Sequence, residues 1–223
     1  MKKNISLKKA TLLAVATILV FSACRKNNYY IDGGLSQQSE ADKKMLVYDF
    51  LASRPNHMFD SLVKIIDLTN TKSVVNQDNI TFFAAPNNAV MRLQMNYNPD
   101  DRQVPRALAD IGKDTLLSLL NRFIIPNARI TLEQAVKDVQ KYYKAGNGDS
   151  LLIYGKGGGT TSSSSIPTSA YYIEYTHLKI PGLDSIKYTG NIQTHNLITA
   201  NAVVHVLTYG SSFAAGLKQK YFR

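Results

Sequence analysis

Apolar residues recur at helical spacing through the first part of the chain that can fold, and in short β-rich runs through the second. Ser39 and Asp42 form a capping box ahead of Leu46, Val47, Phe50 and Leu51, which predicts a helix that Pro55 ends. A second helix is predicted from Met58, because Phe59, Leu62, Val63 and Ile66 repeat at the spacing of one buried face. The polar stretch from Thr69 to Asn79 stops it. Ile80 to Ala84 is a short β-rich run, and Thr81 to Ala84 alternates too little to face water on one side, so it is expected to be a central strand. Pro86 with Asn87 or Asn88 then offers the turn and the N-cap of a helix carrying Val90, Met91 and Leu93. After a polar loop from Asn96 to Arg106, Asp114 caps a leucine-rich helix, Leu116 to Leu120, that runs into the strand-like Phe123, Ile124 and Ile125. Thr131 and Gln134 make another capping box, and Leu132, Ala135, Val136 and Val139 share a face of a helix predicted to end near Tyr142.

Beyond Gly146 the period changes. Strands are predicted at Leu151 to Tyr154, Tyr171 to Leu178, Ser185 to Tyr188, Ile192 to Ile198 and Ala202 to Tyr209. The Gly-, Ser- and Thr-rich stretch from Gly155 to Ser165 reads as a hairpin loop between the first two. The expected class is α+β, with helices mainly in the N-terminal half and a sheet-rich second half.

The start of the chain has a different pattern. Lys2, Lys3, Lys8 and Lys9 precede an uncharged, mainly apolar run from Ala10 to Phe21, the layout of a secretory signal peptide. A membrane-crossing helix needs about 20 apolar residues, and this run of twelve stops at Ser22, Ala23 and Cys24. Phe21-Ser22-Ala23-Cys24 resembles the lipobox of bacterial lipoproteins, with Phe21 where leucine is usual. That resemblance implies cleavage before Cys24 and acylation of its sulfur. Cys24 is the only cysteine, so it has no intramolecular disulfide partner. Several acyl chains hold a protein durably, at about 0.8 kcal/mol for each buried CH₂. Residues 1–23 are thus expected to be a signal peptide, 24–39 a lipid-anchored tether, 40–215 one domain and 216–223 a C-terminal tail. A flexible tether of this length spans about 20 Å, which keeps the domain just clear of the bilayer.

Charge and chemistry narrow the picture. The chain carries a formal +10, and removing the leader leaves 22 basic against 16 acidic residues, a dispersed excess of +6. With no basic stripe or block of five like charges, nucleic acid is not an expected partner; an acidic glycan or lipid headgroup suits such a surface better. The four histidines, His57, His177, His195 and His205, show no H-x-x-x-H spacing and have no cysteine partner, so neither a zinc site nor any cofactor is expected. There is no G-x-S-x-G elbow. Asp100 and Asp101 read as turn residues rather than a catalytic pair. Gly155-Lys156-Gly157-Gly158-Gly159-Thr160 lacks the order of a phosphate loop. His205, among apolar neighbours in Val203 to Leu207, is expected to be a core histidine bonded to backbone. Thirteen tyrosines and no tryptophan are more suggestive, because a tyrosine pairs an apolar ring with a hydroxyl and suits sugar faces and protein interfaces alike. Tyr142 and Tyr143 lie beside lysines, and Tyr171, Tyr172 and Tyr175 share one strand. Tyr171, Ile173 and Tyr175 would face one way and Tyr172, Glu174 and Thr176 the other, one set packing in the core and the other being a candidate binding face.

Three ordered motifs carry a family resemblance. Thr81-Phe82-Phe83-Ala84-Ala85-Pro86-Asn87-Asn88-Ala89-Val90 resembles the first signature of fasciclin-like domains, T-V-F-A-P followed by N-x-A-F, with one extra alanine and Val90 in place of Phe. Asn201-Ala202-Val203-Val204-His205-Val206-Leu207 is similar to the N-G-V-I-H-V-I near the end of such domains. Leu116 to Pro126 aligns with L-L-x-Y-H-V-V-P, and Thr131-Leu132 with the Y-T-L that follows. Arg122-Phe123 replaces the Tyr-His pair, so any adhesion activity attributed to that pair in animal members does not transfer. The resemblance covers about residues 42 to 210. It implies the fasciclin wedge of two small β-sheets flanked by helices, and a noncatalytic role in cell adhesion or in binding a glycan, a matrix polymer or an envelope protein. The expected location is the cell envelope, anchored on a membrane, the outer one by preference, with the periplasmic or surface face open. The alternative role is a structural accessory subunit of an outer-membrane glycan-uptake assembly.

Overall fold

The computed structural model describes residues 38–96, 104–157, 171–178, 188–208 and 213. Cys24, Asp100, Asp101 and residues 158–170 lie outside them, as do 214–223.

Ser39 accepts a hydrogen bond from the Asp42 amide at 3.1 Å and so caps helix α1, Glu40–Lys43. The single long helix expected here is in fact two short ones. The chain leaves helical geometry at Leu46, which stands at the N-cap of α2, Val47–Ala52, and is itself exposed. The break is held because the Val47 amide is taken by a distant side chain, Asn201 Oδ1, at 3.1 Å. Helix α3, Asp60–Thr69, buries Leu62, Ile65 and Ile66. It ends on Asn70 in the left-handed region, where the Thr71 amide reaches back to the Ile66 carbonyl at 3.0 Å. A short helix, α4, Lys72–Val75, interrupts the polar stretch that follows. Then come strand β1, Ile80–Ala84, helix α5, Asn87–Asn96, helix α6, Lys113–Asn121, and strand β2, Ile124–Ile125.

Thr131 caps α7, Leu132–Asp138, through the Gln134 amide at 3.1 Å. This helix ends earlier than its apolar period predicts. Val139 takes φ 63° and ψ −64°, and the Gln140 amide bonds to the Asp138 carbonyl at 2.7 Å. That is a γ-turn of the rare strained hand, and it carries a 68 % exposed β-branched side chain. The turn puts Tyr142 and Tyr143 on strand β3, Lys141–Lys144, rather than on a helix. The remaining strands are β4, Ser150–Gly157, β5, Tyr171–His177, β6, Tyr188–Ile198, and β7, Ala202–Leu207.

The seven strands form one sheet in the order β2-β1-β7-β6-β5-β4-β3, in which only the β1–β7 pairing is parallel. Two separate small sheets were expected, and β6 is the reason they are joined. It is eleven residues long, and its first part pairs with β5 through Asn191 while its second pairs with β7 from Ile192, with two register shifts inside the β6–β7 pairing. Bulges of this kind bend a strand, so the sheet can turn without being cut. At the far ends it curls back on itself, the Gly146 amide bonding to the Ile124 carbonyl at 2.8 Å. β1 is buried at all five positions, as a strand paired on both sides and covered on both faces should be.

One continuous core fills the fold, from Phe50, Leu62 and Ile66 of the helices through Phe82, Phe83 and Val204 to Ile153 and Tyr175. Phe213 belongs to it, stacked 5.0 Å from Phe123. Helix α7 lies on β4 and β5, and it lies there closely. A Cβ on Gly155 would sit 2.5 Å from the Cα of Val136 and 2.6 Å from its amide nitrogen. Gly155→Ala is therefore expected to push the helix off the sheet and cost about 1–3 kcal/mol, as overpacking against backbone does. A fall in the urea midpoint at unchanged slope checks this, and an unchanged midpoint refutes it.

Candidate functional site

Strand alternation and register define two faces on β3, β4 and β5. Tyr143, Leu151, Ile153, Ile173 and Tyr175 point to the core. Tyr142, Leu152, Tyr154, Lys156, Tyr172, Glu174 and Thr176 share the opposite face, since Tyr142 pairs with Leu152, Tyr154 with Glu174, Lys156 with Tyr172 and Leu152 with Thr176. Tyr175 is accordingly not a surface residue. It is 0 % exposed, with Phe83 at 5.6 Å and an edge contact to Phe123 at 6.1 Å, and its ring lies over Gly190, the residue opposite it on β6. This corrects its place among the candidate binding residues. Tyr172 is on the outer face and half-buried. Tyr171 begins β5, and its backbone pairs with Gly157. Cys24 lies outside the described residues.

The outer face has a closed floor and open rings. Leu152, Glu174 and Thr176 are buried, and Thr176 shares a 2.8 Å hydroxyl hydrogen bond with Thr189 of β6. Above them Tyr142 is 64 % exposed, and Tyr154 and Tyr172 are half-buried. The three tyrosines are diagonal neighbours on successive strands, about 7–8 Å apart at each step, so the stripe is about 15 Å long. Lys156 lies beside the stripe and is exposed, its Nζ 3.3 Å from Glu174 Oε2. Burial pushes the Glu174 carboxyl up from its ordinary value. At the other end of the face Lys144 donates to Ser150 Oγ at 2.8 Å. The arrangement offers apolar ring surface, hydroxyl groups and ammonium groups.

Gly155 and Lys156, read in the sequence as part of a phosphate-loop lookalike, are strand residues here. The three buried histidines serve the interior. Asn196 donates its amide to His205 Nδ1 at 3.3 Å, which leaves Nε2 to carry the proton and donate to the Ile130 carbonyl at 2.8 Å. His205 is the backbone-bonded core histidine its surroundings predicted, stacked 5.5 Å from Phe83. Burial lowers it from 6.5 to about 4. His195 accepts the Ile173 amide at 2.9 Å. His177 is 2 % exposed, sits edge-on to Phe123 at 5.0 Å, and neither of its ring nitrogens has a hydrogen-bond partner among the described residues. Burial, helped by the Arg122 charge, holds it well below its ordinary value. Arg122 itself is buried against Asp149, Nε to Oδ2 2.8 Å. The Arg122-Phe123 pair is thus an interior pair, one side chain ion-paired and the other in the aromatic core.

The other motif residues also hold the fold together. Thr81 Oγ1 donates to the Ala128 carbonyl at 2.7 Å and accepts the Ile130 amide at 2.8 Å. Asn87 does not cap its own helix. Its Oδ1 takes the Ser61 amide at the start of α3 at 2.9 Å, while its Nδ2 donates to the His57 carbonyl, tying two helix starts together. Sequence reasoning missed Tyr154 and the stripe, because a diagonal across three strands depends on register. The available signal was the Tyr154-x-Lys156 alternation, which puts a ring and a cation on one face.

No protein-family model and no curated relative matches the chain. Among solved structures it is similar to a FAS1 domain pair from the insect cell adhesion molecule fasciclin I, with a TM-score of 0.52 and 15 % identity, covering 80 % of this chain and 53 % of that one. The chain therefore spans about half the length of that pair. With the helices preceding β3, the mixed sheet and the motif strands in place, the protein has a fasciclin-like α+β fold.

Proposed function

We propose that the chain is a cell-envelope lipoprotein, anchored through Cys24, whose fasciclin-like domain is a noncatalytic binding module for cell adhesion or for a glycan, a matrix polymer or an envelope protein. The observation that carries this reading is the stripe of Tyr142, Tyr154 and Tyr172 across three hydrogen-bonded strands. Interface aromatics contribute most when their scaffold is already ordered, because little conformational entropy is then lost on binding. The leader and the lone cysteine support the anchor. That the structurally similar domain pair comes from a cell adhesion molecule supports a role in cell adhesion.

The anchor is tested by Cys24→Ser. The expected result is loss of acyl labelling and release from the membrane fraction; a full-length variant still equally membrane-bound refutes it. Binding is tested with the full-length protein in detergent, on a glycan array and by pull-down from envelope extract. Retention of a partner that depends on the tyrosine face is expected, and copurification with an outer-membrane channel instead would favour the accessory-subunit role. No retained partner in either format refutes the binding module.

A further inference from the structure

Resting on the binding-module reading, we infer that the outer face of β3, β4 and β5 takes an acidic polysaccharide. The face divides its charges by accessibility. Lys156, with a 52 % exposed side chain, and Lys144 reach solvent at the two ends of the tyrosine stripe. The carboxylate on this face, Glu174, is in the closed floor beneath, its side chain 11 % exposed. An arriving ligand thus meets rings and cations first, which favours negative charge on the ligand.

The geometry separates a polysaccharide from a peptide. β4 is paired with β3 on one side and β5 on the other, and β5 is paired with β4 and β6. The backbone donors and acceptors of β4 and β5 are committed to the ladders, so among the described residues an added strand could pair only along the outer edge of β3 and not across the stripe. Rings at diagonal steps of about 7–8 Å on a pleated face instead offer successive flat apolar surfaces for stacking. Lysine at each end then supplies ammonium groups for carboxylates or sulfates carried by the sugar rings.

The test is retention of the full-length protein in detergent on polygalacturonate and on dextran sulfate, with unsulfated dextran as the neutral control. Retention is expected on at least one acidic polymer and not on dextran, and it should weaken as salt is raised. Tyr142→Ala and Tyr154→Ala should each weaken it about three- to tenfold. Tyr142, being largely exposed, can be removed without disturbing the core, and thermal melting verifies that each variant is folded. Lys144→Ala with Lys156→Ala should weaken retention about fivefold at low salt. Lys64→Ala with Lys113→Ala removes equal charge from the exposed sides of α3 and α6 and should leave retention unchanged. Equal retention on dextran, indifference to the tyrosines, or equal loss from the two lysine pairs would each overturn the inference. If neither acidic polymer retains the protein while the pull-down yields a protein partner, the ligand class fails and the binding module stands; if nothing is retained anywhere, both fail.

Discussion

Asn201→Ala should lower the stability of the domain by about 3 kcal/mol or more, and it should do so without touching the candidate binding face. Asn201 is 1 % exposed and joins three segments far apart in the chain. Its Oδ1 accepts the Val47 amide at 3.1 Å, and its Nδ2 donates to the carbonyls of Val75 at 3.2 Å and Gln77 at 2.8 Å. Its own carbonyl takes the Asn79 amide at 2.9 Å. Alanine keeps the backbone bond and leaves one buried amide and two carbonyls without their side-chain partner. Each such group costs about 1–3 kcal/mol when the vacated space stays dry. A urea midpoint shift at constant slope measures the loss. A variant as stable as the parent would show that water or a local rearrangement satisfies all three groups. Asn201→Asp distinguishes geometry from charge: it keeps the acceptor for Val47 but sets a carboxylate against two carbonyls, and it should also destabilise.

Acid should destabilise the protein well above the range in which carboxylates titrate. His205 is neutral in the fold down to about pH 4, whereas its ordinary value is 6.5. Between those values the unfolded chain binds a proton that the folded chain refuses, so stability is complete above pH 6.5 and falls as pH drops towards 4. For this residue the loss is about 3 kcal/mol across the window, at 1.36 kcal/mol for each unit. His177 acts in the same direction, since its burial and the nearby Arg122 also exclude the proton. Glu174 acts in the opposite direction, because its raised carboxyl takes a proton in the fold before it does in the unfolded chain. The urea midpoint at pH 5 is thus expected to lie clearly below that at pH 7. His205→Gln, which can still donate to Ile130 and accept from Asn196, should flatten the dependence, and His177→Phe should flatten it further. Equal wild-type midpoints at the two pH values would refute the account.

The motif positions behave as framework. Thr81, Asn87, Asn201 and His205 each satisfy backbone groups of a segment distant in sequence, and none lies on the outer tyrosine face. That is why a resemblance carried by these residues locates a fold and leaves its ligand open. The ligand must be argued from the face whose side chains the framework does not use.

Local patterns in the sequence determined the caps at Ser39 and Thr131, the buried strand Ile80–Ala84, the helical face of Leu62 and Ile66, and the interior place of His205. Each depends on residues within a few positions of one another, or on strong apolar surroundings, so composition and spacing suffice. Other features were decided only when distant segments met. The Val47 amide ends α1's continuation because Asn201 takes it, and α7 stops at Val139 because β3 must pair with β4. β6 fuses the two expected sheets because its halves find different neighbours. The strand bearing Tyr172 and Tyr175 announced two faces, but only register and the seat over Gly190 committed Tyr175 to the core and set Tyr172 on a diagonal with Tyr154 and Tyr142. Side-chain period along a strand is a local property, whereas which strands lie beside it, and in what register, is settled by the energy of the whole packed sheet.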